Sequence, residues 1–555
     1  MAGLRGGLVV CGTTSDAGKS WVVAGLCRLL ARQGVSVAPF KAQNMALNAA
    51  VTGDGAEIGH AQWVQALAAG VPAEAAMNPV LLKPTGETTS QVVVMGRVVG
   101  ERSAHEHQDR TDELRPVVAA ALADLRHRFG VVICEGAGGA AEINLLDRDL
   151  ANLPLAAAAS LPALIVGDIE RGGVFAALYG SVALLPDELR RWVRGFVINR
   201  FRGDPALLGD GCDELERRCG VPTLGVVPMV PGLDLDAEDS LALDRWDTEA
   251  TPTAGAVGGG AVADDPSAGG VSVGGAVVKD SAAGGASAGG ASRDSHGGGL
   301  DRALDVAVVR FPRVSNFGDL DPLRLEPGVS VRWVRSPAAL GRPHLVVLPG
   351  SKATRDDLAW LRASGLAAAI AGSGAAVVGI CAGLQMLGRR IDDPGGIEGP
   401  PGAVDGLGRL DVTTTFGRDK VLDRPQGSAI AGGPGPGSAA RAAGYRIHHG
   451  VVRGAGADPW LVADDGTVLG WAEGRTLGTT LHGLFDEDDL RAAILAWASE
   501  LAGLPRPSGP AGGPGVRFAA ARDARLDRIA DALETHLDIA RLTAIIAEGA
   551  RTAHP

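Results

Sequence analysis

Lys19 and Ser20 close the stretch GTTSDAGKS (12–20), directly behind the apolar run Leu8-Val9-Val10-Cys11. A glycine-rich turn between a strand and a helix offers backbone N–H groups to phosphate oxygens, and the helix N-terminus adds partial positive charge. In that reading Gly12, Thr13 and Gly18 shape the cradle, Lys19 reaches the outer phosphates, and the Ser20 hydroxyl binds Mg2+. The usual phosphate loop has four residues between its glycines; here Gly12 and Gly18 are separated by five. A hard cation needs more oxygen ligands than one hydroxyl. Glu135 in VVICEGAGG and Asp168 in LIVGDIERGG each end a buried-strand pattern. Ligands gather at the carboxyl ends of strands in open α/β sheets, which makes both candidate metal ligands, with helix capping the alternative for each.

A second chemistry sits in VVGICAGLQMLG (377–388), where Cys381 lies between Gly379 and Gly383 after a β-rich run. Small residues on both sides allow a sharp strand-to-helix turn, the nucleophile elbow with Cys in place of Ser. Such a turn exposes the sulfur and aims a helix N-terminus at it. A thiol nucleophile needs a base. His482 in GTTLHGLFDED, at the end of a strand-like run, is the candidate, with His448 and His449 in GYRIHHG as rivals. Gly350 opens the loop LPGSK, whose backbone N–H groups suit an oxyanion hole.

These residues need elements to hold them. The 555-residue chain is too long for one core. Residues 7–11, 131–134, 163–166 and 195–198 read as buried strands with helical stretches between, which predicts a parallel sheet covered on both faces. A second α/β unit is expected from residue 304, with strands at 306–309, 345–348, 376–380 and 477–481. Fifteen of residues 251–300 are Gly, and most others are Ala, Ser, Val, Asp or Thr. That composition cannot offset its ordering entropy and predicts a flexible linker. Leu526, Ile529, Leu533 and Leu537 then fall at helical spacing and predict a docked helix. The expected division is 1–247, a linker over 248–303, 304–502, and a Pro/Gly-rich break with a C-terminal helix over 503–555.

The 52 basic and 64 acidic residues leave a net charge of −12, which argues against nucleic acid and anionic membrane surfaces. Six sparse cysteines without metal-ligand pairing fit a reduced, cytoplasmic protein. The first apolar run breaks at Gly12, unlike a signal peptide. The apolar stretch 153–166 is interrupted by Pro154 and Pro162 and is too short for a bilayer.

The five-residue spacing followed by Glu-Gly-Ala-Gly-Gly resembles the dethiobiotin synthetase-like group of P-loop enzymes, which use ATP to phosphorylate a carboxylate or carbamate. The Cys381 and His482 stretches resemble the class I glutamine amidotransferase domain, in which Cys attacks the glutamine amide, a thioester forms and ammonia leaves. Many members place Glu two residues after the His to orient it; that position is Leu484 here, and another group must do this work. Four further stretches, PFKAQNMALNAAVT (39–52), MNPVLLKPTGETTSQVVVMG (77–96), GDIERGGVFA (167–176) and RFPRVSNFGDLDPL (310–323), are similar to those of the cobyric acid synthase family. That resemblance spans nearly the whole chain outside 248–303. It implies four ATP- and glutamine-dependent amidations of adenosylcobyrinic acid a,c-diamide. It also implies amide and cationic donors for a corrinoid polycarboxylate, which would be Lys41, Gln43, Asn44, Asn48, Asn78 and Lys83; a polar loop with helix caps is the plainer reading. By analogy with the P-loop fold, Asn199 would contact the adenine. The nearest rival is cobyrinic acid a,c-diamide synthase, which shares both chemistries. A more distant one is a partitioning-type ATPase switch with an inert amidotransferase-like domain; such switches carry an extra early lysine, which residues 13–17 lack.

Overall fold

The computed structural model describes residues 3–86, 88–230, 232–233, 303–507 and 515–551. The expected linker at 248–303 lies, apart from its last residue, outside the described residues. In the first half, six strands run in the order Thr223–Pro228, Val193–Phe201, Ala163–Asp168, Gly6–Gly12, Val131–Glu135 and Val37–Phe40. Every pair is parallel. Gly6–Gly12 has its last six residues buried, and Val131–Glu135 and Ala163–Asp168 are buried throughout, as a sheet covered on both faces requires. Val10 pairs with Glu135, Gly12 with Val166, and Asp168 with Asn199. The register therefore brings the phosphate loop and the three polar strand ends to one edge.

Residues 43–103 add a separate sheet, ordered Gln43–Met45, Val80–Pro84, Thr89–Val94 and Arg97–Ser103. Its apolar side, with Ala46, Ala49, Val51, Leu81 and Val93, packs on Ile447, Leu422 and Tyr445 of the second half.

The second half is built on a nine-stranded sheet. Five are parallel: Val329–Val334, Leu304–Val309, Leu345–Leu348, Ala376–Ile380 and Thr476–Thr479. Four more, reaching to Arg441–Ala443, extend the sheet antiparallel. The strand expected over 477–481 ends instead at Thr479. Thr479 Oγ1 accepts the Leu481 N–H at 3.0 Å, so the chain turns and His482 pairs with Tyr445.

The C-terminal spacing produces a helix over Phe518–His536, and Leu537 lies just beyond it, bridged to Gly225. A second helix, Ile539–Arg551, follows. Both pack on the first half. Ile529 and Leu533 close on Gly25 of the helix Lys19–Arg32, and Arg28 holds Asp527 at 2.7 and 3.1 Å. Leu533 is fully buried, so Leu533→Ala is expected to cost about 3 kcal/mol and lower the thermal unfolding midpoint; calorimetry checks this. Among the described residues, no helix is long and apolar enough to cross a membrane.

Candidate active site

At the edge of the first sheet, Gly18 adopts φ 98° at the start of the helix Lys19–Arg32. The Thr13 N–H bonds the Val166 carbonyl, and the Gly12 carbonyl accepts from the Ala140 N–H, which fixes the start of the loop. Lys19 Nζ donates to the Thr14 and Gly138 carbonyls at 2.9 and 3.0 Å, so the ammonium lies inside the loop. Asn199 Nδ2 donates to the Ala17 carbonyl at 3.1 Å. Its amide thus braces the phosphate loop.

Glu135 is fully buried. Its carboxylate accepts from Ser20 Oγ and Lys41 Nζ, both at 2.8 Å, and from Gln65 Nε2. Burial opposes its charge, but the Lys41 ammonium and the bonds from Gln65 and Ser20 outweigh burial and hold the carboxyl below its usual range. The two oxygen groups, Ser20 and Glu135, lie side by side and fit a hard cation completed by phosphate and water. Asp168 is occupied otherwise. One oxygen accepts from Arg200 at 2.8 Å and the other from the Glu170 N–H at 2.9 Å, so the side chain caps a turn.

The polar residues 41–83 are drawn together only in part. Asn44 Nδ2 donates to Gln62 at 2.9 Å, beside Gly59. Gln43 meets His107 at 2.9 Å. Asn48 is buried, and its carbonyl accepts from the His60 N–H. Asn78 spends its amide on the Lys41 and Val80 carbonyls and the Gly59 N–H. Lys83 is paired at 2.6 Å with buried Glu57, whose other oxygen takes Lys420 of the second half. Gln62 and Gln65 escaped sequence reading. Both are fully buried, and Gln62 Nε2 and Gln65 Oε1 have no hydrogen-bond partner among the described residues.

Cys381 follows the strand Ala376–Ile380 with φ 55°, a backbone conformation that strains any residue but glycine. Its N–H is held by the Thr479 carbonyl at 2.7 Å, and Gly383 packs against the Leu348 carbonyl with no room for a side chain. His482 faces the same cavity as the Cys381 thiol, which favours its charged form. Its Nδ1 lies 2.7 Å from Asp319 Oδ2, and Asp319 Oδ1 accepts the Gly483 N–H at 2.8 Å. Asp319 therefore fills the orienting post that Leu484 vacates. Burial works against a charged imidazole, yet Asp319 and Cys381 prevail and raise His482 to about 10. The Tyr445 ring stacks on His482 at 5.3 Å. A Cβ at Gly350 would stand 2.9 Å from the Ser315 carbonyl and 3.0 Å from the His482 ring, so glycine is required there.

Cys381 and His482 open on a cavity of about 40 Å³ that also meets Gln385, Glu398, Lys352 and Lys83. The space holds a few water-sized groups. His448 lines it too, with neither ring nitrogen bonded among the described residues, and burial pushes its imidazole down to about 4. Burial lowers His449 to about 4 as well. Of the three histidines, His482 carries the carboxylate partner.

Residues 8–242 match the model of the CobQ/CobB/MinD/ParA nucleotide binding domain, and residues 305–490 that of the CobB/CobQ-like glutamine amidotransferase domain. A protein of Frankia casuarinae named cobyric acid synthase is 50% identical over 556 residues, covering 100% of this chain and 99% of its own. One of the same name from Rhodococcus jostii is 46% identical, covering 99% and 97%. A solved glutamine amidotransferase structure aligns with 36% of this chain and 99% of its own at 21% identity and TM-score 0.27. With full-length likeness at this level, the chain belongs to the cobyric acid synthase family.

Proposed function

We propose that the chain amidates the peripheral carboxylates of adenosylcobyrinic acid a,c-diamide, four in all, with ammonia from glutamine and energy from ATP. The observation that carries this reading is the cavity shared by the two halves, in which Cys381 and His482 face Lys83. A carboxylate is a poor electrophile, and the terminal phosphoryl of ATP makes it an acyl phosphate open to ammonia. The loop 12–20 binds the phosphates, Lys19 neutralises them, and Ser20 with Glu135 holds Mg2+. Lys41 and Asn44, with Gln62 behind them, supply donors to the substrate's acids.

In the second half, the Cys381 thiolate attacks the side-chain carbon of glutamine. His482 gives its proton to the departing amide nitrogen, ammonia leaves, and water later splits the thioester to glutamate. The Gly350 loop supplies N–H groups to the oxyanion. Glu398 and Lys352 present opposite charges to the two ends of the amino-acid head. Lys83, Lys352 and Lys420 all face the cavity, and their positive field favours ammonia over ammonium in transit. All six cysteines are free, which suits a reducing compartment, and we assign the reaction to the cytoplasm.

The synthetase half has its own test. Glu135→Gln keeps the size and removes the charge. Corrinoid amidation is expected to fall about 10–100-fold as metal affinity drops, with glutamine hydrolysis retained. Equal loss of both activities would contradict the metal role.

A further inference from the structure

We infer that Asn316 is a positioning residue through which the segment 44–51 of the nucleotide-binding half sets the rate of glutamine hydrolysis. The inference rests on the reading of Cys381 and His482 as the glutaminase pair. Asn316 is buried in the left-handed region at φ 53°. Its Oδ1 accepts the Ala49 N–H at 3.4 Å, and its Nδ2 donates to the Ala49 carbonyl at 3.1 Å and the Tyr445 hydroxyl at 3.2 Å. Tyr445 stacks on His482, and their main chains exchange bonds in both directions at 3.1 and 2.8 Å. The Asn316 carbonyl accepts the Asp319 N–H at 3.2 Å, and Asp319 holds the imidazole.

Asn316 thus touches three parties: through its amide the segment of Asn44 and Asn48, at Ala49, and the Tyr445 hydroxyl, and through its main-chain carbonyl the turn that carries Asp319. Buried amides with several partners are costly to leave unpaired, so a shift of Ala49 carries Asn316 with it. A displacement near 1 Å of a reacting group costs about 10²-fold in rate. The same segment is bonded through Asn44 to Gln62, whose unpartnered amide nitrogen is a donor suited to an acid. Occupancy there is read out at His482. A coupling of this kind is worth about 5–150-fold.

The test is glutamine hydrolysis by the full chain, with and without adenosylcobyrinic acid a,c-diamide plus ATP. The unaltered chain is expected to respond about tenfold. Asn316→Gly accepts the positive φ and removes only the amide. It is expected to bring the response to about one and to leave ammonia-driven amidation intact. Tyr445→Phe keeps the stack, loses the hydroxyl, and is expected to fall between. Stimulation preserved in Asn316→Gly, or absent from the unaltered chain, overturns the inference. So does complete loss of hydrolysis in Asn316→Gly, which would make the amide part of the site itself. Failure of the underlying reading is separately visible, as glutamine hydrolysis that survives in Cys381→Ala.

Discussion

Cys381→Ala is expected to lower glutamine-driven amidation by at least about 10³-fold and to leave ammonia-driven amidation within about twofold of the unaltered chain. In the proposed reaction the thiol at the elbow is the nucleophile, and no other group among those lining its cavity replaces a sulfur. The phosphate loop, Ser20 and Glu135 are carried by a different sheet, so the acyl-phosphate half keeps its geometry. Side-by-side assays with glutamine and with ammonium salt at alkaline pH check this. Parallel loss of both would mean that the thiol is no separable glutaminase nucleophile.

Asp319→Asn carries the second large effect. The substitution keeps the shape but turns a donor or a neutral oxygen toward His482 Nδ1, and the imidazolium loses the charge that holds its proton. Glutamine hydrolysis is expected to fall about 10²–10⁴-fold, the range seen when a triad carboxylate becomes an amide. The pH profile moves as well. Burial disfavours the charged ring, but Asp319 and Cys381 raise His482 to about 10, so hydrolysis in the unaltered chain is expected to persist to alkaline pH and fade near 10. In Asp319→Asn that limb shifts to lower pH. The stability sign follows from the same shift. The folded value lies above the free-histidine value near 6.5, so the stabilisation is complete below about 6.5 and is lost as pH climbs through about 10. The thermal-midpoint gap between the two proteins should therefore narrow from neutral pH to 10. An unchanged profile would contradict the role of Asp319.

The elements that carry the chemistry were legible because their signals are local. A buried run, a glycine turn and a Lys-Ser pair place the phosphate loop within one strand and one helix, and the same logic places Cys381. The orienting carboxylate was not legible. Asp319 lies 163 residues before His482, in SNFGDLDPL, where an Asp among apolar residues reads as a helix cap. A buried acid between Phe317 and Leu320 was the available signal. The surroundings of Lys83 were not legible for the same reason, since its Glu57 partner also binds Lys420 from the other half, and docking of two units leaves no periodicity to read. Asn199 and Asp168 sit at the strand ends where expected, but rotamer and neighbours decide their duties, and those neighbours are Ala17 and Arg200. The helix Ile539–Arg551 lies beyond the apolar spacing that ends at Leu537.

The most direct test of the central claim is the mass of adenosylcobyrinic acid a,c-diamide after incubation with this protein, ATP, Mg2+ and glutamine. Four successive carboxylate-to-amide conversions are the predicted result, and they require both halves to act on one molecule. An unchanged corrinoid, from a preparation that still hydrolyses glutamine, would contradict the account and point to another acid, with cobyrinic acid the next to try.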